Sequence, residues 1–237
     1  MGIRSLNKFL QNRCNNLLPT SLEDLQNKTI AIDAHNYLYQ IINGDLIQSL
    51  DKVCGIFKKY NIETLWIFDG YPPEYKKKII KQRKIYFNSL HSKHNILMQI
   101  KKDNNSNNLN KTLEIIKHKM RKLTSDDIWQ VKKYLENNDL KYFVSNNGVE
   151  ADTVCVDLVK NKSAYAVLSE DMDIIGMGCP VTIRCFNKNN EKCIYYNIDN
   201  IVNDLGITID TFKKMCGMVT KTVTIEKAFE LIKYENN

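Results

Sequence analysis

Six carboxylates stand where a folded chain could gather them: Asp33, Asp69, Glu150, Asp152, Asp171 and Asp173. Taken singly, each has a plain structural explanation, because acids offset the dipole in a helix's first turn and aspartates end strands as turn formers. Taken together, six acids on one crevice would repel one another unless divalent cations neutralised them. Hard oxygen donors suit magnesium or manganese, and no Cys or His grouping accompanies them to favour zinc. Two such ions about 4 Å apart would activate a water and stabilise the leaving oxygen of an in-line phosphodiester displacement.

The elements that must position these acids follow from the apolar pattern. Residues 29–33 form a β-branched run ending in Asp33, and residues 64–69 repeat that design up to Asp69, ahead of the breaker Gly70-Tyr71-Pro72-Pro73. Between them Leu46, Ile47, Leu50, Val53, Cys54 and Phe57 recur at helical spacing over 46–59. Strand, helix, strand implies a parallel pair with a right-handed crossover. A third strand is predicted at 141–144 and a fourth at 164–168, separated by a helix over 149–160 with Ala151, Val154, Cys155, Leu158 and Val159 on one face. The fold class is α/β: a doubly wound, mostly parallel sheet flanked by helices, with its functional crevice beyond the carboxyl ends of the strands. Asp33 and Asp69 sit at those ends. Glu150 and Asp152 fall in a helix's first turn, and Asp171 and Asp173 follow the fourth strand.

Residues 75–101 and 111–137 read as two helices joined by the polar stretch 103–108. Between Lys76 and Lys133, sixteen Lys and Arg face four acids, a local balance of +12 within a net charge of +7, so the remainder sums to −5. A solvated lysine-rich face gives such a composition, yet a basic surface of this size also favours a polyanion as partner. His91 and His94, three apart on the first of these helices, read as solvated face rather than as metal ligands.

At 237 residues the chain can bury one substantial core plus an insertion. No apolar run approaches the 18 or so residues of a membrane helix, which predicts a soluble protein. The first residues lack the apolar run of a secretory signal, and Leu6 stands where myristoylation would want Ser or Thr. Seven cysteines, an odd number without a C-x-x-C pair, argue against a disulfide framework or zinc site and fit a reducing, intracellular compartment.

The chain resembles the flap endonuclease family, the xeroderma pigmentosum G type of structure-specific nucleases with a PIN-like sheet. The carriers are Met1-Gly2-Ile3 with Leu6 and Phe9-Leu10; Ile32-Asp33-Ala34 with Tyr39-Gln40; Phe68-Asp69-Gly70 with Pro72-Pro73; Val149-Glu150-Ala151-Asp152; and Ser169-Glu170-Asp171-Met172-Asp173, followed by Gly178, Pro180-Val181 and Arg184. Order and spacing agree to about Arg184, and more weakly to Ile232. The resemblance implies a first Mg2+ or Mn2+ bound through Asp33, Asp69, Glu150 and Asp152, the last being Asp where Glu is usual. A second ion would use Asp171 and Asp173. Lys76 and Arg83, at a spacing that puts both on about one helix face, match the basic pair aimed from the arch base at the scissile phosphate. Gly2, exposed once Met1 is removed, matches a terminus tucked near the site. Tyr39 matches an aromatic that stacks on a base beside the cut, with core packing as the competing reading. Lys77 and Lys81 are further DNA-binding candidates. The organisation implied is residues 1–74 and 138–205 as two parts of one nuclease domain, 75–137 as a basic helical arch, and 206–237 as a reduced helix-hairpin-helix-like element.

The sequence departs from the family in its C-terminal part. The Gly-x-Asp-Tyr segment that supplies a further second-ion Asp is missing, and Thr222 and Thr224 stand where the hairpin's glycines belong, which predicts a weaker duplex grip. The stretch between Asp33 and Asp69 is short, implying a reduced junction wedge. The chain reaches Asn237 without a sliding-clamp peptide. The expected partner is branched or flapped DNA, handled by a monomer in DNA repair or replication, in the nucleus or a DNA-replicating cytoplasmic site. The competing readings are a PIN-type ribonuclease, a non-catalytic DNA-junction binder with a degenerate second metal site and, more remotely, a phosphatase using Asp33 as nucleophile.

Overall fold

In the computed structural model, residues 2–15, 17, 19–103 and 107–235 are described, so Met1, the 104–106 part of the polar connector and Asn237 lie outside the described residues. The strands are β1 (Pro19–Ser21), β2 (Thr29–Asp33), β3 (Glu63–Phe68), β4 (Lys141–Val144), β5 (Ala166–Leu168), β6 (Val181–Asn187) and β7 (Lys192–Asn197). They form one sheet in the order β1-β7-β6-β5-β2-β3-β4. The run β6-β5-β2-β3-β4 is parallel, and β7 pairs antiparallel with both β6 and β1. This is the α/β, mostly parallel architecture that the strand and helix alternation predicts.

The helices are α1 (Leu6–Arg13), α2 (Ala34–Ile41), α3 (Leu46–Lys59), α4 (Lys77–Asp103), α5 (Asn107–Lys119), α6 (Ser125–Asn137), α7 (Ala151–Lys160), α8 (Met172–Gly176), α9 (Ile198–Leu205), α10 (Ile209–Gly217) and α11 (Ile225–Glu235). Strand side chains alternate between faces. Ile30, Ile32, Trp66 and Phe68 therefore pack with Leu38, Val53, Phe57, Val131 and Leu135 of α2, α3 and α6. Ala31, Ile67 and Val167 pack on the other face with Ala151, Cys155 and Val159 of α7. With both faces covered, β2 and β3 read as near-continuous apolar runs. A third cluster joins α1 to α9, α10 and α11, including an edge-to-face pair of Phe9 and Phe229 at 5.3 Å. The cysteines are free thiols, all but Cys185 buried. No helix among the described residues is long and apolar enough to cross a membrane.

Two sequence expectations change, and three strands join the sheet without a sequence expectation. Lys76 ends a short 3-10 turn, Glu74–Lys76, because Pro73 holds its extended conformation just before it; the helix carrying Arg83 starts only at Lys77. The expected helix over 111–137 is two helices. Thr124 Oγ1 accepts the Asp127 N–H at 3.1 Å while the Asp127 carboxylate accepts the Thr124 N–H at 2.7 Å, a capping box that ends one helical path and starts α6. The β6–β7 hairpin and β1 were not foreseen, since their apolar alternation is interrupted by polar residues and a break in register between Arg184 and Asn187.

The consequence for the insertion is specific. Val131 and Leu135 of α6 are fully buried in the body, whereas Ile115 of α5 is 56% exposed. Leu135→Ala is expected to lower unfolding free energy by about 2–5 kcal/mol, and Ile115→Ala by no more than about 0.5 kcal/mol. Urea denaturation of the two variants checks this; equal losses would contradict the packing of α6 on α3.

Candidate active site

The carboxylates gather because strands β2, β3 and β5 end where helices begin. Asp33 closes β2 and caps α2, its Oδ1 accepting the Asn36 N–H at 3.1 Å. Asp69, just after β3, accepts the Ala151 N–H at 2.9 Å, which ties the strand end to the start of α7. Glu150 is the N-cap of that helix and Asp152 lies in its first turn. Asp171 caps α8 and accepts the Asp173 N–H at 3.0 Å. Helix N-termini offer unpaired N–H groups and partial positive charge, so acids are stabilised at these places. Gly70 permits the tight turn after Asp69: a Cβ there would lie 2.2 Å from the Ser145 carbonyl oxygen.

The acids share one electrostatic field. Burial pushes Asp33 up to about 7, and the negative charges of Asp69, Asp152 and Asp171 push the same way against the Asn36 hydrogen bond. Burial raises Asp152, with Glu150 adding to it, and burial raises Asp173, with Asp171 adding to it. Charge thus links Asp33 with Asp69, Asp152 and Asp171, Asp152 with Glu150, and Asp173 with Asp171. Among the described residues, no three ligating side chains close into a ready-made cage. By its chemistry, an all-oxygen set with excess negative charge suits a hard divalent cation rather than zinc.

Cations border the acids on one side. Lys76 pairs with Glu150, and the Tyr75 hydroxyl donates to the same Glu150 oxygen at 2.8 Å. Burial opposes the Lys76 charge, but the Glu150 pair outweighs it and holds the amine above its ordinary range. Lys77 pairs with Glu74 at 2.7 Å and Lys81 is exposed on α4. Arg83 lines a cavity of about 670 Å3 together with Tyr39, Tyr86, Lys84, Lys119 and Arg121. Tyr39 is 46% exposed there, which removes the core-packing reading. Lys76 and Arg83 therefore occupy different surroundings. Gly2 lies against the second pair of acids: a Cβ on it would come within 2.9 Å of Asp171 Oδ1, and the Ile3 N–H donates to Asp173 at 2.8 Å. His91 packs edge-on to Phe87 at 4.7 Å.

Sequence reasoning missed His35 and Tyr75. His35 Nδ1 accepts the Asp69 N–H at 3.3 Å and lies 3.4 Å from Asp69 Oδ2. Burial pushes the imidazole below its ordinary range against the pull of Asp69, so the neutral ring with Nδ1 as acceptor is the consistent form. Its place two residues after Asp33 was the available signal.

Profiles of the XPG N-terminal domain and the XPG I-region match residues 1–88 and 139–221. The chain belongs to the XPG/flap endonuclease family. It is 28% identical over 216 residues to flap endonuclease 1 of Methanococcus aeolicus, covering 84% of this chain and 64% of that protein, so it spans less than two thirds of this relative's length. Its fold is similar to that of the catalytic core of Rad2 in complex with DNA substrate, with a TM-score of 0.70 at 20% identity over 100% of this chain and 69% of that one. It is also similar to the Holliday junction-resolving enzyme GEN1 in complex with product DNA, Mg2+ and Mn2+, with a TM-score of 0.66 at 16% identity over 98% and 50% of the two chains. The matched XPG segments carry all six carboxylates; the first runs into α4 as far as residue 88, and the second begins after α6.

The buried acid of this family member has a measurable consequence. Because burial and the neighbouring acids push Asp33 up to about 7 from an ordinary 3.8, the native state binds more protons in that interval. Its contribution to metal-free stability is fully present below about 3.8 and is lost as pH rises to about 7. Asp33→Asn is expected to flatten that slope and raise the Tm at pH 8, each 1 kcal/mol being roughly 2–4 °C for a chain of this size. Thermal unfolding in chelator between pH 5 and 8 checks it; matching slopes in both proteins would contradict it.

Proposed function

We propose that the protein is a divalent-metal-dependent, structure-specific DNA nuclease of the flap endonuclease or 5′-exonuclease type. The observation that carries this reading is the crevice itself, with Asp33 buried among Asp69, Asp152 and Asp171 and raised to about 7. In this reading Asp33, Asp69, Glu150 and Asp152 hold one Mg2+ or Mn2+, and Asp171 and Asp173 hold a second. When bound, the two ions supply an activated water and charge stabilisation for phosphodiester hydrolysis.

The remaining roles fall to the chain's own side chains. Arg83 presents a fixed guanidinium fork to a phosphate, and Lys76 presents a compact charge that can serve either Glu150 or a phosphate. Tyr39 offers an exposed ring, in the cavity it shares with Arg83, for stacking on a base. Lys77 and Lys81 add sequence-independent attraction to the backbone of branched or flapped DNA. Gly2 allows the chain to lie directly beside Asp171. The loss of the family's further second-ion Asp leaves Asp171 and Asp173 without that partner, and magnesium tolerates this because it keeps several waters and takes substrate phosphate as ligand. The α11 segment contributes Ile225, Ala228, Phe229 and Ile232 to the core beside α1, which fits a reduced duplex clamp.

A gel assay in Mg2+ on 5′-flapped, nicked, hairpin and single-stranded DNA, with single-stranded RNA alongside, tests the proposal. Flapped or otherwise branched DNA is expected to be cut, and Asp171→Asn is expected to abolish cutting while flap binding persists. Preferential RNA cleavage would replace this reading by a ribonuclease. Junction binding without cleavage in saturating Mn2+ would replace it by a non-catalytic binder.

A further inference from the structure

Glu170 sits between Ser169 and Asp171, yet its side chain turns away from the acidic crevice. Its carboxylate meets Arg184, with Nη2 to Oε2 at 3.2 Å, and accepts the Cys185 N–H at 2.5 Å. Arg184 also donates to the Glu170 carbonyl at 3.0 Å. Arg184 is only 8% exposed, and its guanidinium lies 5.7 Å from the Tyr196 ring. The backbone of β6 is shaped for the contact. Its ladder to β7 is irregular between Arg184 and Asn187, and Cys185 takes a left-handed φ of 53°, which turns its N–H out of the ladder toward Glu170.

The same residue is gripped from the other side. The Glu170 N–H donates to Asn36 Oδ1 at 2.9 Å, and the Asn36 N–H donates to Asp33 Oδ1 at 3.1 Å. Ser169 Oγ accepts the Asp171 N–H at 3.2 Å and lies 3.5 Å from Asp33 Oδ2. Glu170 is thus held by α2 through its N–H and by β6 through its carbonyl and carboxylate. Asp171 follows directly, and its carboxylate sets Asp173.

Building on the nuclease reading above, we infer that Asn36, Glu170 and Arg184 form a brace that positions Asp171 and Asp173 relative to Asp33 and so sets the second cation site. Three physical points carry it. Leaving a buried arginine without its anion is costly, and Glu170 is the carboxylate that Arg184 pairs with, so the loop is held in the conformation that turns Glu170 outward. Asp171 and Asp173 repel each other, and a loop bearing them needs a restraint that does not come from the acids. Outer hydrogen-bond partners of ligating carboxylates orient them and commonly control affinity. Glu170 is therefore a positioning residue, and its carboxylate is not available as a ligand.

The test is Mn2+ binding to the DNA-free protein, followed by the electron paramagnetic resonance of free Mn2+, for the wild type and for Asp173→Asn, Glu170→Gln, Asn36→Ala, Arg184→Lys and Arg184→Met. The class of Mn2+ lost in Asp173→Asn identifies the second site. Glu170→Gln and Asn36→Ala are expected to weaken that class by roughly 10–100-fold and leave the first class unchanged. Arg184→Lys is expected to retain more of it than Arg184→Met; should Arg184→Met not fold, the Glu170→Gln and Asn36→Ala isotherms decide. Isotherms that superimpose on the wild type, or equal weakening of both classes together with a lowered Tm, would overturn the brace. A wild type that binds no Mn2+ would overturn the nuclease reading and the brace with it.

Discussion

Carboxylates brought together in a partly dry crevice repel one another, and the rest of the molecule is arranged around holding them there. The cost is visible at Asp33, which burial and three neighbouring acids push up to about 7. The fold offsets part of it through helix starts. Asp33 and Asp171 each cap a helix, and Asp69 reaches across to the N–H of Ala151 at the start of α7. A parallel sheet makes this possible because β2, β3 and β5 all end on one side, and the helix or turn that follows each of them places its N–H groups there. The same polarity that locates the crevice therefore also makes it bearable.

Positive charge offsets what the helix starts leave over. Lys76 and Tyr75 converge on Glu150 from the base of the insertion, and Arg83 and Lys84 of α4 with Lys119 of α5 line a cavity shared with Tyr39. Acids in the sheet and bases in the insertion thus form a single electrostatic unit. Such an arrangement suits the proposed nuclease, with a polyanion on the basic side and divalent cations among the acids. On the far side, α1 is bound to α11 through Phe9 and Phe229, which anchors the chain's first residues beside Asp171 and Asp173.

Much of this was legible in the sequence where one physical signal dominates. The β-branched runs before Asp33 and Asp69 could only be buried strands, and the spacing of Leu50, Val53, Cys54 and Phe57 gave α3 directly. Motif order singled out the six acids, which fall at strand ends and helix starts. Legibility failed where local chemistry overrides a continuing pattern. Apolar spacing runs on through Leu123, so only the reciprocal Thr124 and Asp127 bonds reveal that α5 and α6 are separate. Lys76 and Arg83 have helical spacing, but Pro73 delays the helix. His35, Asn36 and Glu170 carried no periodic signal at all; their roles come from tertiary hydrogen bonds to Asp69, Asp33 and β6 that depend on how distant segments meet.

The most direct test is an anomalous difference map from crystals soaked in Mn2+. Two peaks are expected, one bordered by Asp33, Asp69, Glu150 and Asp152 and the other by Asp171 and Asp173, with Lys76 moved off Glu150. A crevice without anomalous density at saturating Mn2+, and with the Lys76 to Glu150 pair intact, would contradict the view that these acids are gathered to hold cations.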